Sequence, residues 1–589
     1  MYRKLLLSAA VCFSTSALFA ASSLALAPPG GAQQKEVQPE IATGRTEIKS
    51  ATAEKYMAVT ANPHASAAAE QMLARGGSAV DAAIAAQLAL SLVEPQSSGI
   101  GGGAFMLSYR ADDNKLYSYD GRETAPMAVD ENYFMRDGKP RGFLDAVIGG
   151  RSVGVPGVLR MLELAHKRDG KLPWKDLFQP AIQLAEQGFA ISPRLYQLAA
   201  QLPRVAVRPA ISAYLFGEDG KPLPVGHTLK NPEYAATLKL LAEQGVKPFY
   251  EGEIAEAIVA AVRNDPENPG VMTRKDLADY RAQEREPVCG DFLQYHWCGA
   301  QAPSSGGTTV GAMLGMLQHF PLEQYDVGSA ELTHLFVEAS ELAFADRNTY
   351  SADPDFVAVP TAAMVDPEYL AERAKLIDPQ RARPAIAGNP LGFAKNRRTA
   401  MSPELPNTSH LSIVDQYGNG VSMTTSIETG FGSRLMVKGF LLNNQLTDFS
   451  FVPTNADKQL VANRVQPGKR PRSSMSPTIV FNKDGSLRLL VGSPGGSRII
   501  DYTARTILYH LVKGMPIAEA IAVGNITAIG YQVEVEPEAL SQAAMEKLQA
   551  MGHKVVRKDL NSGIHAIALI DGKLLGGADT RREGSAVGR

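Results

Sequence analysis

The stretch Gly492-Ser493-Pro494-Gly495-Gly496 comes closest, by residue type alone, to a reactive site in this 589-residue chain. A nucleophile elbow needs a residue between the first glycine and the serine; here Gly492 adjoins Ser493, so the G-x-S-x-G pattern is not met. The two glycines that follow offer something else. They lie between a predicted strand ending at Val491 and a predicted helix over Ser497–Val512, and backbone N–H groups at such a junction can face a developing negative charge, as an oxyanion hole requires. A tight packing turn is the simpler reading of the same residues. Metal chemistry finds no local support: the ten histidines are scattered, with no H-E-x-x-H, no C-x-x-C and no pair of histidines on one helix face. The run Ser97-Ser98-Gly99-Ile100-Gly101-Gly102-Gly103 is glycine-rich, but a helix precedes it and a strand follows, the reverse of a dinucleotide-binding turn.

The surrounding periodicities define the frame. Alanine-rich helices are expected over His64–Arg75, closed by Gly76-Gly77, and Ser78–Val93, closed by Pro95, with a strand over Ala104–Tyr109. Pro156 suits the first turn of a helix that carries Val158, Leu159, Leu162 and Ala165 and stops at Gly170. Leu332, Leu335, Phe336, Ala339, Leu342 and Ala343 form another helical stripe; Glu338 and Glu341 lie off it and read as a solvated or packed face. Asp378–Asn407 has no sustained period and reads as an exposed connector. From Thr408 the period changes to two, with hairpins turning at Gly418-Asn419-Gly420, Asp484-Gly485 and Asp571-Gly572.

Fifty-nine Lys and Arg against 61 Asp and Glu leave a formal charge of −2, which supplies no basic footprint for nucleic acid; 45% apolar residues exclude a disordered chain. Arg3 and Lys4 precede an apolar run over Leu5–Ala20 and small residues at Ser23, Ala25 and Ala27, the pattern of a secretory signal cleaved after Ala25. No second membrane span follows, so export to the periplasm, or secretion, is expected. Residues 26–52 read as a loose leader. Cys289 and Cys298 would then lie in an oxidising compartment, flanking a predicted hairpin over Val288–Trp297. A turn expected at Phe292 and Leu293 would bring them close across the hairpin, so a disulfide and two buried thiols both remain open.

Several motifs in order resemble gamma-glutamyltransferases, also called glutathione hydrolase proenzymes: Asn407-Thr408-Ser409-His410-Leu411, Leu442-Asn443-Asn444-Gln445-Leu446-Thr447-Asp448-Phe449-Ser450, Lys469-Arg470-Pro471-Arg472-Ser473-Ser474-Met475-Ser476-Pro477 and Gly492-Ser493-Pro494-Gly495-Gly496-Ser497-Arg498. Gly99–Phe105, Asp120-Gly121-Arg122-Glu123, Gly154-Val155-Pro156-Gly157, Pro303-Ser304-Ser305-Gly306-Gly307 and Ala345-Asp346-Arg347 extend the likeness across the chain. The resemblance implies an α+β fold, the four-layer αββα sandwich of N-terminal-nucleophile hydrolases. It further implies a precursor that cuts itself between Asn407 and Thr408 into a large piece, 53–407 after the leader, and a small piece, 408–589, which stay together.

By the same resemblance, Thr408 would be the nucleophile and its freed α-amino group, of pKa about 7.7–8.0, the base. Ser426 would assist Thr408, and the Gly495 and Gly496 amides would hold the oxyanion. Arg122, Ser473 and Ser474 would bind the donor's α-carboxylate; Asp448, Gln445 and Glu428 would receive its α-ammonium. Glutathione and other gamma-glutamyl compounds would be donors, with water, amino acids or peptides as acceptors, and no cofactor or metal is called for. Two positions depart from the usual pattern. Ser426 stands where a Thr is common, and Glu428 where an Asn usually touches the donor. The lid segment Phe451–Gly468 is short and lacks Tyr, which keeps a glutaryl-cephalosporin-type acylase as one alternative; an exported solute-binding protein is another.

Overall fold

Alternation is the local rule from which the architecture follows. In the computed structural model, which describes residues 45–202, 207–390, 407–530 and 532–589, Ser409–Val414 pairs antiparallel with Gly420–Ser426, with Ser409 opposite Thr425. Leu411 and Ile413 point to a helical layer, whereas Val414 joins an apolar cluster between two sheets. Neighbouring strands obey the same parity: Ala58 and Met106 face outward, while Met57, Val59 and Leu107 face inward.

Each of the two large sheets has seven strands. One runs, edge to edge, through Ser585–Gly588, Met57–Thr60, Ser409–Val414, Gly420–Ser426, Gly103–Arg110, Lys115–Asp120 and Gln283–Arg285. The other runs through Lys49–Ala53, Lys573–Ala578, His565–Ile570, Leu487–Gly492, Thr478–Asn482, Tyr295–Gly299 and Val288–Phe292. Ile479, Leu490 and Ile567 of the second sheet meet Leu107 and Val414 of the first. Val480, Leu489, Val491 and Ala568 instead pack outward with side chains of the helices Gly306–Leu317, Ala330–Tyr350 and Ile499–Leu511. The helices Pro63–Ala74 and Ala79–Val93 cover the first sheet. This is the expected αββα sandwich. Strands from before and after the Asn407–Thr408 junction interleave in both sheets, so neither segment closes a sheet alone. The described residues all lie in one compact unit, Val37–Arg589.

Several local readings shift. The first strand begins at Lys49, within the segment read as a loose leader, and pairs with Lys573–Ala578. The helix after Pro156 starts only at Val158, with Gly157 at its N-cap, so the proline precedes the first turn; its carbonyl accepts from the Tyr250 hydroxyl at 2.9 Å. The helix expected over Ser497–Val512 begins as a 3-10 turn, Gly496–Arg498, and becomes α over Ile499–Leu511. Cys289 and Cys298 are opposed in register and form a disulfide; the turn falls at Leu293-Gln294, one residue later than expected. The signal segment and residues 391–406 of the connector lie outside the described residues. Among those residues no helix is long and apolar enough to cross a membrane.

Candidate active site

Thr408 immediately precedes the Ser409–Val414 strand and is buried. Ser426, the last residue of the neighbouring strand, turns its hydroxyl toward it. That hydroxyl donates to the Asn407 carbonyl oxygen at 2.9 Å. It accepts from the Thr408 hydroxyl at 3.3 Å and from the Glu428 N–H at 2.8 Å. One donor and two acceptor positions are the whole capacity of a serine hydroxyl, so this network fixes the direction of every proton in it. The carbonyl of the Asn407–Thr408 bond is polarised by the same group that orients the Thr408 hydroxyl.

Close backbone packing places Ser426. A β-carbon on Gly102 would sit 2.1 Å from the Ser426 carbonyl oxygen, so the glycine run at 99–103 lets one loop lie against another. Packing, not phosphate binding, accounts for those glycines.

Two contacts tie the segment leading into the Gly495-Gly496 turn to Thr408 and its strand. Gly492, at the end of its strand, lies so close to His410 that a β-carbon would meet the ring at 2.3 Å. A β-carbon on Gly563 would meet Pro494 at 2.5 Å and Arg582 at 2.6 Å, and the Arg582 Nη1 donates to the Thr408 carbonyl oxygen at 3.0 Å. Gly495 has φ +140° and faces the Tyr502 ring, a conformation and a clearance that favour glycine. Arg498 anchors the turn with two bonds to Glu534, at 2.6 and 2.8 Å. Burial resists ionisation of Glu534, but Arg498 and Lys558 override it and hold its pKa down to about 2.

The charged residues expected to bind a donor form a second buried group. Arg122 pairs through Nη2 with Asp448 and also donates to the Arg472 carbonyl at 2.8 Å and, from Nε, to the Pro471 carbonyl at 3.2 Å. Gln445 Nε2 bridges two acids, donating to Glu428 at 3.1 Å and Asp448 at 3.4 Å. Burial opposes the Arg122 charge, but Asp448, Glu123 and Glu428 more than restore it. The Ser474 hydroxyl accepts from Arg347 at 2.6 Å, and that of Ser473 accepts from the Met475 N–H at 3.1 Å. Glu428 adopts φ +81°, a left-handed conformation that Asn tolerates better than Glu; its N–H bond to Ser426 and the Thr429 N–H bond to Asn444 at 2.9 Å hold it there.

Several supporting residues carried no assigned role in the sequence. Asn443 ties three segments together: its Oδ1 accepts from Gly154 and Gln445, and its Nδ2 donates to the Gly101 and Gly154 carbonyls. Glu123, completely buried, has its Oε2 3.7 Å from Arg122 Nη1, and burial lifts its pKa to about 8. Arg347 and Arg582 reach the site only through the fold; Arg347 was visible as part of Ala345-Asp346-Arg347, whereas no spacing signal pointed to Arg582. The lid segment is pinned by Asn463, whose Nδ2 donates to the Asp448 carbonyl at 2.7 Å and whose Oδ1 accepts from the Arg472 N–H at 2.9 Å.

A family model described as Gamma-glutamyltranspeptidase matches residues 65–589. A glutathione hydrolase proenzyme of Bacillus subtilis (strain 168) is 38% identical over 545 residues, covering 90% of this chain and 91% of that protein. An Acylase ACY 1 proenzyme of Pseudomonas sp. (strain SE83) is 36% identical over 560 residues, covering 93% and 96%. Among solved structures, a cephalosporin acylase from Bacillus halodurans superposes with a TM-score of 0.81 at 26% identity, covering 96% of this chain and 99% of that one.

Proposed function

Because the chain belongs to the gamma-glutamyltranspeptidase family, we propose that it cuts its own Asn407–Thr408 bond and then uses Thr408 to transfer gamma-glutamyl groups. The observation that carries this reading is the Ser426 hydroxyl, shared between the Asn407 carbonyl oxygen and the Thr408 hydroxyl. In the precursor, the Thr408 Oγ1 adds to the Asn407 carbonyl carbon while Ser426 donates to the oxygen that becomes negative. The C–N bond breaks, the nitrogen takes a proton, and an ester joins Asn407 to the Thr408 side chain. Water hydrolyses the ester, leaving a carboxylate on Asn407 and both a hydroxyl and a free amine on Thr408.

In turnover, that amine accepts the Thr408 hydroxyl proton as Oγ1 attacks the γ-carbonyl of the donor. The Gly495 and Gly496 amides hold the tetrahedral oxyanion. The leaving amine departs with the proton and the γ-glutamyl ester remains on Thr408. Water then releases glutamate, or the amine of an amino acid or peptide takes the γ-glutamyl group.

Arg122, Ser473 and Ser474 receive the donor's α-carboxylate, and Glu428, Gln445 and Asp448 its α-ammonium. Glu428 and Asp448, both touched by Gln445, give the site an extra negative charge beside Arg122. A donor that brings an ammonium relieves that excess, and a glutaryl group, which has none, does not. Glutathione and related gamma-glutamyl amides are therefore the favoured donors. The short, Tyr-less Phe451–Gly468 segment supports the acylase as a second reading. Turnover of gamma-glutamyl-p-nitroanilide compared with glutaryl-7-aminocephalosporanic acid separates them: release of p-nitroaniline is expected to dominate, and turnover of the glutaryl compound alone would overturn the assignment. The signal segment supports export, with the mature protein in the periplasm and free of the membrane.

A further inference from the structure

Away from the active site, three metal-ligating side chains converge in the helical layer beside the second sheet. His334 and Glu338 lie one turn apart on the Ala330–Tyr350 helix, and His553 follows the helix Gln542–Ala550. All three are buried, and one ligand atom from each lies within 4.8 Å of the other two. His334 Nδ1 and His553 Nε2 are 2.7 Å apart, and Glu338 Oε1 is 4.0 Å from the same His553 nitrogen.

The outer contacts fix how these groups face. His334 Nε2 lies 2.7 Å from the Asp378 carbonyl oxygen, which can only accept, so the proton sits on Nε2 and the Nδ1 lone pair points at the cluster. A carbonyl or carboxylate on the far nitrogen is the usual means of orienting a metal-bound imidazole. Glu338 is steered by the Arg383 N–H at 3.2 and 3.4 Å from its two oxygens. The Asp378–Arg383 stretch, partly exposed, is the cover through which an ion would enter.

We infer that His334, Glu338 and His553 form a site for one divalent transition-metal ion of the Zn2+ class, with water in the fourth position. Bonds of about 2.0–2.2 Å in a tetrahedron separate ligand atoms by about 3.4 Å, between the short and long edges seen here. The edges run from 2.7 Å to no more than 4.8 Å, so binding opens the His334–His553 edge and draws Glu338 inward by side-chain rotation. Two imidazoles and one carboxylate suit zinc better than calcium or magnesium, which prefer oxygen ligands. The sequence gives no motif because the second histidine lies 219 residues from the first. Two ligands precede the Asn407–Thr408 junction and one follows it, so the ion would clasp the two pieces together; this consequence rests on the cleavage reading, whereas ion binding does not.

Tag-free protein, stripped with chelator and titrated with Zn2+ alone, tests the site by isothermal titration and metal analysis after gel filtration. One zinc per molecule is expected, with a raised thermal midpoint and, with Co2+, the intense visible bands of a four-coordinate ion. His553→Gln and the more conservative Glu338→Gln should each lose the equivalent and the midpoint shift while keeping gamma-glutamyl turnover. A Thr408→Ala precursor should still bind one zinc, which separates failure of the site from failure of the cleavage reading. Absence of stoichiometric zinc, or equal uptake by the wild type and both site variants, would show a histidine–histidine hydrogen bond only and overturn the inference.

Discussion

The Ser426 hydroxyl donates to the Asn407 carbonyl oxygen at 2.9 Å, across the bond that the family reading marks for cleavage. Ser426→Ala removes the donor at the position where the oxyanion develops. Self-cleavage should slow by about 10²–10³, while Ser426→Thr, which keeps a hydroxyl, should retain most of the rate. A time course on a denaturing gel, starting from freshly translated precursor, reads both. Equal rates for the wild type and the alanine variant would contradict the role given to Ser426.

Glu428 and Asp448 share Gln445, and on the proposed reading the donor's α-ammonium docks beside them. Glu428→Ala should raise KM for gamma-glutamyl-p-nitroanilide by about tenfold or more, the size expected on losing a charged hydrogen bond, with a smaller effect on kcat. Glutaryl substrates should be less impaired, or improved. Unchanged donor affinity would remove Glu428 from the ammonium site.

On the proposed mechanism the base is the freed α-amino group of Thr408, which would titrate at about 7.7–8.0. At limiting donor concentration, kcat/KM should rise with pH through that window as the ammonium loses its proton, then level off. A profile flat from pH 6 to 9 would argue against the amine as the base.

Glu534 anchors Arg498, which follows the Gly495-Gly496 turn. Its folded pKa of about 2 lies below the 4.5 of an ordinary glutamate. The ionised carboxylate therefore stabilises the fold fully above about pH 4.5, and that contribution is lost as pH falls toward 2. The difference corresponds to about 3 kcal/mol. Glu534→Gln should be less stable than the wild type at pH 7 and should lose less stability between pH 4.5 and 2. Denaturation midpoints at the two pH values measure it.

Periodicity exposed the layers because the central strands of the sandwich are buried on both faces: the alternation at 409–414 separates Leu411 and Ile413 from Val414, and the structure sends them to different cores. The stripe from Leu332 to Ala343 likewise gave the long helix, with Glu338 on a packed face. The hairpin turn was placed one residue early: Leu293-Gln294 is the midpoint between Cys289 and Cys298, and Leu293 takes φ +55° there. Arg582 and His553 were illegible for a different reason. Each acts on residues more than 170 positions away, Arg582 on Thr408 and His553 on His334, so only the closed fold brings them into contact. The resemblance supplied the positions of Arg122, Gln445 and Asp448, but not their mutual pairing.

Intact-mass and N-terminal analysis of the purified, active protein tests the central claim most directly. Two chains are expected, the smaller beginning Thr408-Ser409-His410 and ending at Arg589, with Thr408→Ala remaining a single inactive chain. Full activity in a preparation whose Asn407–Thr408 bond is uncut, or a small fragment beginning at any other residue, would contradict it.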